Sequence, residues 1–353
     1  MTLRFTVDPD HLDTPEANQA LDQAAAILRA GGLVALPTET VYGLGANALD
    51  ADAVARIFAA KQRPNWDPVI VHIHSLEMLR PLVTEVAETA RRLAEAFWPG
   101  PLTLLLPRSA KVPDVVTAGR PLVGVRMPAH PVAWELIRRA GVPVAAPSAN
   151  LFSHISPTTA AHVLADLDGR IDAIVDAGPA SHGVESTVLD PTQDPPVIYR
   201  PGAVSREAIL GVIPDVHFYE PPAARLDAEA NEKPPESLPS PGVGIRHYAP
   251  RARLILVEGE LGQLPALMAQ AAVPYRGQRL GVMLPAELPL PAVLAEAQVF
   301  AWGLWQQPET LARDLYAGLR QLDALGCQVI LCPLPVGNGI GAAIEDRLRK
   351  AAR

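Results

Sequence analysis

The sequence predicts a two-part α/β protein. A mixed, twisted sheet with helices comes first, and a smaller Rossmann-like α/β unit follows a polar linker. Three observations carry this. Up to residue 212, strand-like and helix-like stretches intermix without strict βαβ alternation. Residues 213–245 then lose their large apolar side chains, as in YEPPAARLDAEANEKPPESLPSPG. After that, strand and helix alternate to the end, the pattern of a parallel sheet. A length of 353 residues suits two domains. The expected divisions are 1–212, a linker at 213–250, and 251–353.

In chain order, residues 14–30 predict a helix, with Thr14 as N-cap, Pro15 at the first helical position and Gly31-Gly32 as stop. LVALPT is a short strand. Residues 51–62 form a helix that Pro64 closes. VIVHIH (69–74) is a strand, and 84–98 is an amphipathic helix that Pro99-Gly100 ends. LTLLLP, LVGVRMP and VPVAAPS are strands, with a helix at 131–140 before the last. SPTTAAHVLADL (156–167) opens as a helix with Ser156 ahead of Pro157. IDAIVDAG, STVLDPT and VIYRPG are strands. Beyond the linker, RLILVEG, RLGVMLP, QVFAWG and CQVILCPLP are strands, and 261–272, 308–325 and 340–352 are helices.

Composition excludes some functions. Leu102 to Leu106, among the longest apolar runs, is far too short to span a bilayer. The start, MTLRFTVDPDH, has no apolar signal core, so a cytoplasmic protein is expected. Cys327 and Cys332 lie five apart in one expected strand and face opposite ways, which predicts two core thiols and a reducing compartment. The net charge of −8 argues against clamping a long nucleic acid. It leaves room for a weak tRNA contact at a local patch.

Several short segments could carry chemistry. Lys61-x-Arg63 pairs a compact cation with a forked donor, which suits a polyphosphate, or else complements a helix C-terminus. Ser148-Ala149-Asn150 is a turn of small residues at a strand end, open either to a ligand or to a purely local role. PTETVYGLG (37–45) offers hydroxyls, a carboxylate and two flexible glycines, but is no P-loop. His72 and His74 share a strand face without the further ligands that zinc needs, so a substrate hydrogen bond is the better reading. Arg126, inside an apolar strand, requires an anion, either a substrate carboxylate or a structural Asp or Glu. Ser186 and Arg200 sit at strand ends. Gly337-Asn338-Gly339-Ile340-Gly341 is a weak anion loop.

Together these segments resemble one family. PTETVYGLG, KxRPxxxPxxVHI, FWPGPLTLLL, VxVRMP, PSAN, SPTTAxHVxxDL, GxESTVxD and YRPG occur in family order over about residues 14–211. They look like the YrdC-like domain of threonylcarbamoyl-AMP synthase. SPGxxxRHYAP (240–250) and the unit after it are similar to that enzyme's long two-domain form. The resemblance implies condensation of L-threonine, bicarbonate and ATP, with Mg²⁺, to threonylcarbamoyl-AMP and pyrophosphate. It implies that a downstream tRNA threonylcarbamoyl transferase consumes the product, modifying tRNAs that read ANN codons. It places Thr38, His72, Arg126, Ala146 and Ser186 around threonine. It places Lys61, Arg63, Asn65, Ser148, Asn150, Ser156, Arg200 and Tyr248 around ATP, with Lys61 and Arg63 offsetting charge in the reaction and the linker closing as a lid. No resident metal site is implied. The chain departs from the family at Leu151-Phe152-Ser153-His154, where a cation is common, at Gly244-Ile245 and at Glu345. Two other readings compete. A double-stranded-RNA-binding module conflicts with the acidic charge. A carbamoyl-transfer enzyme of hydrogenase maturation would carry Cys-x-x-Cys pairs, which two cysteines cannot supply.

Overall fold

A computed structural model describes residues 1–220, 248–335, 337 and 339–352. Strands β1 (Leu3–Thr6), β2 (Val34–Leu36), β3 (Gly43–Asn47), β4 (Val71–His72), β5 (Leu102–Pro107), β6 (Leu122–Arg126), β7 (Val144–Ala145), β8 (Ala173–Asp176), β9 (Thr187–Asp190), β10 (Val197–Arg200) and β11 (His217–Phe218) build one sheet. Its order is β1-β8-β2-β3-β7-β4-β6-β5-β9-β10-β11. Parallel pairs such as β4/β6 and β5/β9 mix with antiparallel pairs such as β3/β7 and β5/β6. This is the mixed sheet that the irregular order of strand and helix patterns predicts.

Helices cover both faces. On one, α1 (Pro15–Arg29) and α5 (Pro131–Ala140) bury Leu21, Leu28, Leu136 and Ile137 against Val34, Leu36 and Val175. Thr14 caps α1 by accepting from the Ala17 N–H, and Pro15 occupies the first turn. On the other face, α2 (Ala51–Lys61), α3 (Glu88–Phe97), α4 (Asp114–Thr117) and α6 (Ala160–Leu167) pack Ile57, Leu93, Val116 and Val163 over Leu44, Val71 and Leu104. A short α7 (Arg206–Leu210) follows β10.

The second unit has four parallel strands, β12 (Arg253–Val257), β13 (Leu280–Leu284), β14 (Gln298–Ala301) and β15 (Val329–Pro333), in the order β12-β15-β13-β14. Its helices are α8 (Leu264–Ala272), α9 (Pro308–Ala324) and α10 (Gly341–Ala351). One apolar cluster joins the two units. Val41, Ile155 and Val184 of the first pack with Tyr248, just ahead of the second, and with Leu315, Tyr316, Leu319 and Ile344 of the second. Burial of this kind, at roughly 25 cal/mol per Å², makes the contact a continuation of the core.

The structure departs from expectation in local ways. Ser156 does not open α6; Thr159 does, accepting from the His162 N–H, while Ser156 bonds Glu185. The strand at 69–74 shrinks to Val71–His72, and the helix at 84–98 begins at Glu88. His217–Phe218, placed in the linker by composition, pairs in parallel with β10. Cys327 precedes β15 rather than lying in it, and both cysteines are buried free thiols. The lid expected from the linker, with Gly244 and Ile245, lies within residues 221–247, outside the described residues, as does Asn338 of the glycine loop. At that loop the Glu345 carboxylate lies 2.2 Å from where a Cβ on Gly337 would fall, so the chain's own acidic group sits against it. Among the described residues, no helix is long and apolar enough to cross a membrane.

Candidate active site

The central strands β3, β4, β6, β7 and β9 end around a cleft. The space between its walls, open solvent included, is about 590 Å³. Its lining includes Thr38, Thr40, Arg63, His72, Arg126, Ala146, Ser148, Glu185, Ser186, Arg200 and Tyr248.

At one end, the 38–41 turn is tied by the Thr38 hydroxyl, which donates to the Val41 carbonyl at 2.6 Å and meets the Thr40 hydroxyl at 2.8 Å. Arg126, at the end of β6, is buried. It donates to the Gly100 carbonyl (3.1 Å) and the Thr40 hydroxyl (2.9 Å), and its Nη2 lies 2.6 Å from Glu39 Oε1. Of the two anions that Arg126 could require, the structure thus supplies a structural one, while still setting Arg126 in the cleft wall. Burial opposes ionisation of Glu39, but Arg126 outweighs it and holds the carboxyl below its ordinary range. Next to this pair stands His72. Burial, and then the Arg126 charge, push its pKa down to about 3, so the ring is neutral at physiological pH. Its Nδ1 is buried without a hydrogen-bond partner. His74 does not share this face. It lies beyond β4, edge-on to Trp134 at 5.6 Å, so the two histidines form no common site. Among the described residues, no cluster of three His, Cys, Asp or Glu side chains could hold a metal.

At the other end, α2 closes with Gln62 in the left-handed conformation (φ 54°), which separates its two neighbours. Arg63 reaches the cleft wall and pairs with the buried Asp67 at 2.9 Å. Lys61 turns inward. Its ammonium donates to the Ser148 and Asn150 carbonyls at 2.5 and 2.6 Å, is almost fully buried, and does not line the cleft. Burial, then the Arg63 charge, lower its pKa well below the usual lysine value. The two carbonyls hold its head group, so in this structure Lys61 staples the Ser148-Ala149-Asn150 turn and does not face the open cleft. Asn150 is buried too, donating to the Leu151 and His154 carbonyls. Asn65 is exposed and away from the wall. Ser148 and Ala146 do line it. His154, where a family cation is common, sits 3.8 Å from Asp166.

Arg200, at the end of β10, donates to the Ser186 carbonyl (2.9 Å) and hydroxyl (3.1 Å). Among the described residues it pairs with no carboxylate, so the cleft holds one guanidinium whose charge is not offset by an ion pair. Glu185 beside it is buried and accepts from Ser156 (2.6 Å), Tyr316 (2.9 Å) and Arg347 (2.7 Å). Tyr248 lines the same wall, stacked on Tyr316 at 5.8 Å and under the Arg347 guanidinium at 5.1 Å. Glu39 and Thr40 are the carboxylate and second hydroxyl of PTETVYGLG, whereas Glu185, Tyr316 and Arg347 were not singled out by sequence reasoning. Glu39 and Glu185 stand inside motifs next to chosen residues. Tyr316 and Arg347 sit in ordinary amphipathic helices and give no local signal.

A mixed-sheet cleft with an arginine at each end and a neutral histidine beside one of them suits an α/β enzyme that binds small anionic molecules. Residues 26–202 match the Sua5/YciO/YrdC family, described as "Telomere recombination", and residues 204–353 match the "Threonylcarbamoyl-AMP synthase, C-terminal domain". The chain is 44% identical over 331 residues to the threonylcarbamoyl-AMP synthase of Pyrococcus abyssi, covering 93% of each chain. It is 44% identical to that of Bacillus subtilis, covering 99% of this chain and 98% of the relative. A solved structure of P. abyssi Sua5 complexed with L-threonine is 40% identical, with a TM-score of 0.87, covering 100% of this chain and 97% of that one. The chain belongs to the threonylcarbamoyl-AMP synthase family, whose members are enzymes of the nucleotidyltransferase type.

Proposed function

We propose that this protein condenses L-threonine, bicarbonate and ATP into threonylcarbamoyl-AMP and pyrophosphate in the cytoplasm. Its product would supply a tRNA threonylcarbamoyl transferase that modifies tRNAs reading ANN codons. The observation that carries the reading is the pair of arginines facing one cleft. Arg126 suits the threonine carboxylate, and Arg200, without a carboxylate partner among the described residues, suits the triphosphate. The L-threonine complex of the 40% identical relative supports threonine as a substrate.

Thr38, His72, Ala146 and Ser186 complete the proposed threonine end. His72 is neutral, so it can hydrogen-bond the substrate amine or hydroxyl without repelling an ammonium. Arg63, Ser148, Arg200 and Tyr248 form the wall of the proposed ATP end. Lys61, Asn150 and Ser156 act from behind it, and Asn65 would reach ATP only from the exposed rim. The uncharged threonine amine attacks carbon dioxide and gives up a proton to solvent, or attacks bicarbonate with net loss of water, and forms a carbamate. A carbamate oxygen then attacks the α-phosphorus in line, and pyrophosphate leaves. Arg63 and Arg200 offset the charge that grows on the departing oxygens. The described residues do not fit a resident Mg²⁺, because Glu39 and Glu185 already pair with arginines. Mg²⁺ is therefore assigned to the triphosphate itself and to water.

The test mixes the protein with ATP, L-threonine, bicarbonate and Mg²⁺. Pyrophosphate release should depend on both threonine and bicarbonate. Release that ignores threonine would sink the proposal.

A further inference from the structure

Among the described residues from 251 onward none lines the cleft, yet two of them close on its wall. Arg347 of α10 is 1% exposed, and Tyr316 of α9 is fully buried. Both grip Glu185, the residue before Ser186. Arg347 Nε donates to Glu185 Oε2 at 2.7 Å, and Tyr316 donates its hydroxyl to the same oxygen at 2.9 Å. Arg347 also donates to the carbonyl of Pro201, which follows Arg200, at 3.0 Å.

Glu185 would otherwise be a problem for the site. A buried carboxylate in the wall of a triphosphate cleft repels the ligand and seeks a cation. The nearest candidate is Arg200, which the neighbouring Ser186 already holds. The other two arginines lining the cleft each have a carboxylate of their own, Arg126 with Glu39 and Arg63 with Asp67. We propose that Arg347 is a positioning residue for the ATP end: by pairing with Glu185 it keeps that carboxylate from capturing Arg200 and leaves the Arg200 guanidinium to the phosphates. The C-terminal unit thereby completes the charge pattern of a cleft built on the other sheet. This inference rests on the ATP reading above.

The groups facing Glu185 are Ser156, Tyr316, Arg347, Arg200 and Tyr248, with Asp346 behind Arg347. Burial opposes its ionisation, but Arg347 and then Arg200 hold its pKa at about 2. Without Arg347 that pKa rises, and acidification should neutralise Glu185 and release Arg200. The experiment measures binding of an α,β-methylene ATP analogue to the full-length protein by calorimetry. Arg347→Met should weaken binding roughly 10- to 100-fold at pH 8. Relative to the parent, the deficit should shrink as pH falls toward 5.5. The double variant Glu185→Gln/Arg347→Met, which removes both charges, should bind within about threefold of the parent. Unchanged binding by Arg347→Met, or a double variant that folds yet binds as weakly as the single, overturns the inference. Tyr316→Phe removes one donor and no charge, and so decides the matter if the others fail to fold. It should weaken binding about three- to tenfold equally at pH 8 and 5.5, because Arg347 still keeps Glu185 ionised, and binding equal to the parent overturns the inference. A parent protein that does not bind the analogue defeats the ATP reading itself, whatever the variants do.

Discussion

The two ends of the cleft are built differently. The end assigned to threonine comes wholly from the large sheet: Thr38 and Thr40 from one turn, His72 from β4, Arg126 from β6. Its charge balance is local, with Glu39 and Arg126 in contact at 2.6 Å. The end assigned to ATP is shared. Arg63 and Arg200 come from the large sheet's unit, but Glu185 between them is satisfied by Tyr316 and Arg347 of the other. A self-contained pocket can bind its ligand whatever the second unit does. A shared one ties ligand affinity to how the two units pack. The large-sheet end should therefore tolerate changes at the unit boundary that the shared end does not.

The largest expected effect breaks the local end. Arg126→Ala removes the proposed carboxylate partner and strands the buried Glu39, a change worth about 3–5 kcal/mol. L-Threonine affinity measured by calorimetry should fall by at least about 100-fold. If threonine binds unchanged, Glu39 is the whole reason for Arg126, and the assignment fails. Next in size is Arg200→Ala, which should cost about 2–3 kcal/mol of ATP-analogue binding and leave the affinity for threonine alone within about twofold. Equal losses for both ligands would show that the two ends are not separable.

Much of the frame was legible in the sequence. Thr14-Pro15, Pro131 and the glycines after α1 and α5 mark helix ends by chemistry that acts within a few residues, and the structure follows them. β3 was not legible as a strand. GLGAN lacks the β-branched and aromatic residues that signal one. Its glycines are there for close packing, since a Cβ on Gly45 would meet Leu36 and Val144 at 2.9 Å. The site was legible as a set of positions but not as a set of contacts. Lys61 and Arg63 read alike as phosphate cations. A left-handed Gln62 sends one to backbone carbonyls and the other to the cleft, and a glutamine gives no warning of that conformation. Tyr316 and Arg347 were invisible because their meaning lies in Glu185, more than a hundred residues away.

Acid stability sharpens the comparison further, because the ends respond with one sign through different groups. His72 has a folded pKa near 3 against an unfolded value near 6.5. Between those values the unfolded chain binds a proton that the fold refuses, so stability falls as pH drops through that window. Glu185 has a folded pKa near 2 against 4.5. Its contribution is complete above 4.5 and is lost as pH falls toward 2. His72→Gln should thus move the acid-unfolding midpoint downward, as followed by circular dichroism, and Glu185→Gln should not. A midpoint that His72→Gln leaves in place would mean that the ring is protonated in the folded protein.

The smallest effect expected concerns a single hydroxyl. Thr40 accepts from Arg126 Nη1 at 2.9 Å and meets Thr38 at 2.8 Å. Thr40→Val keeps the shape and removes both contacts, leaving one guanidinium N–H without its partner. A buried hydrogen bond to a charged group contributes about 1.5–3 kcal/mol, but Arg126 keeps Glu39 and the Gly100 carbonyl, so the lower part of that range applies. Threonine affinity should fall roughly tenfold while ATP-analogue affinity stays within about twofold, because no contact of Thr40 reaches Arg63 or Arg200. If both affinities fell together, the 38–41 turn would be supporting the whole cleft, and the division into a self-contained end and a shared end would have to be redrawn around it.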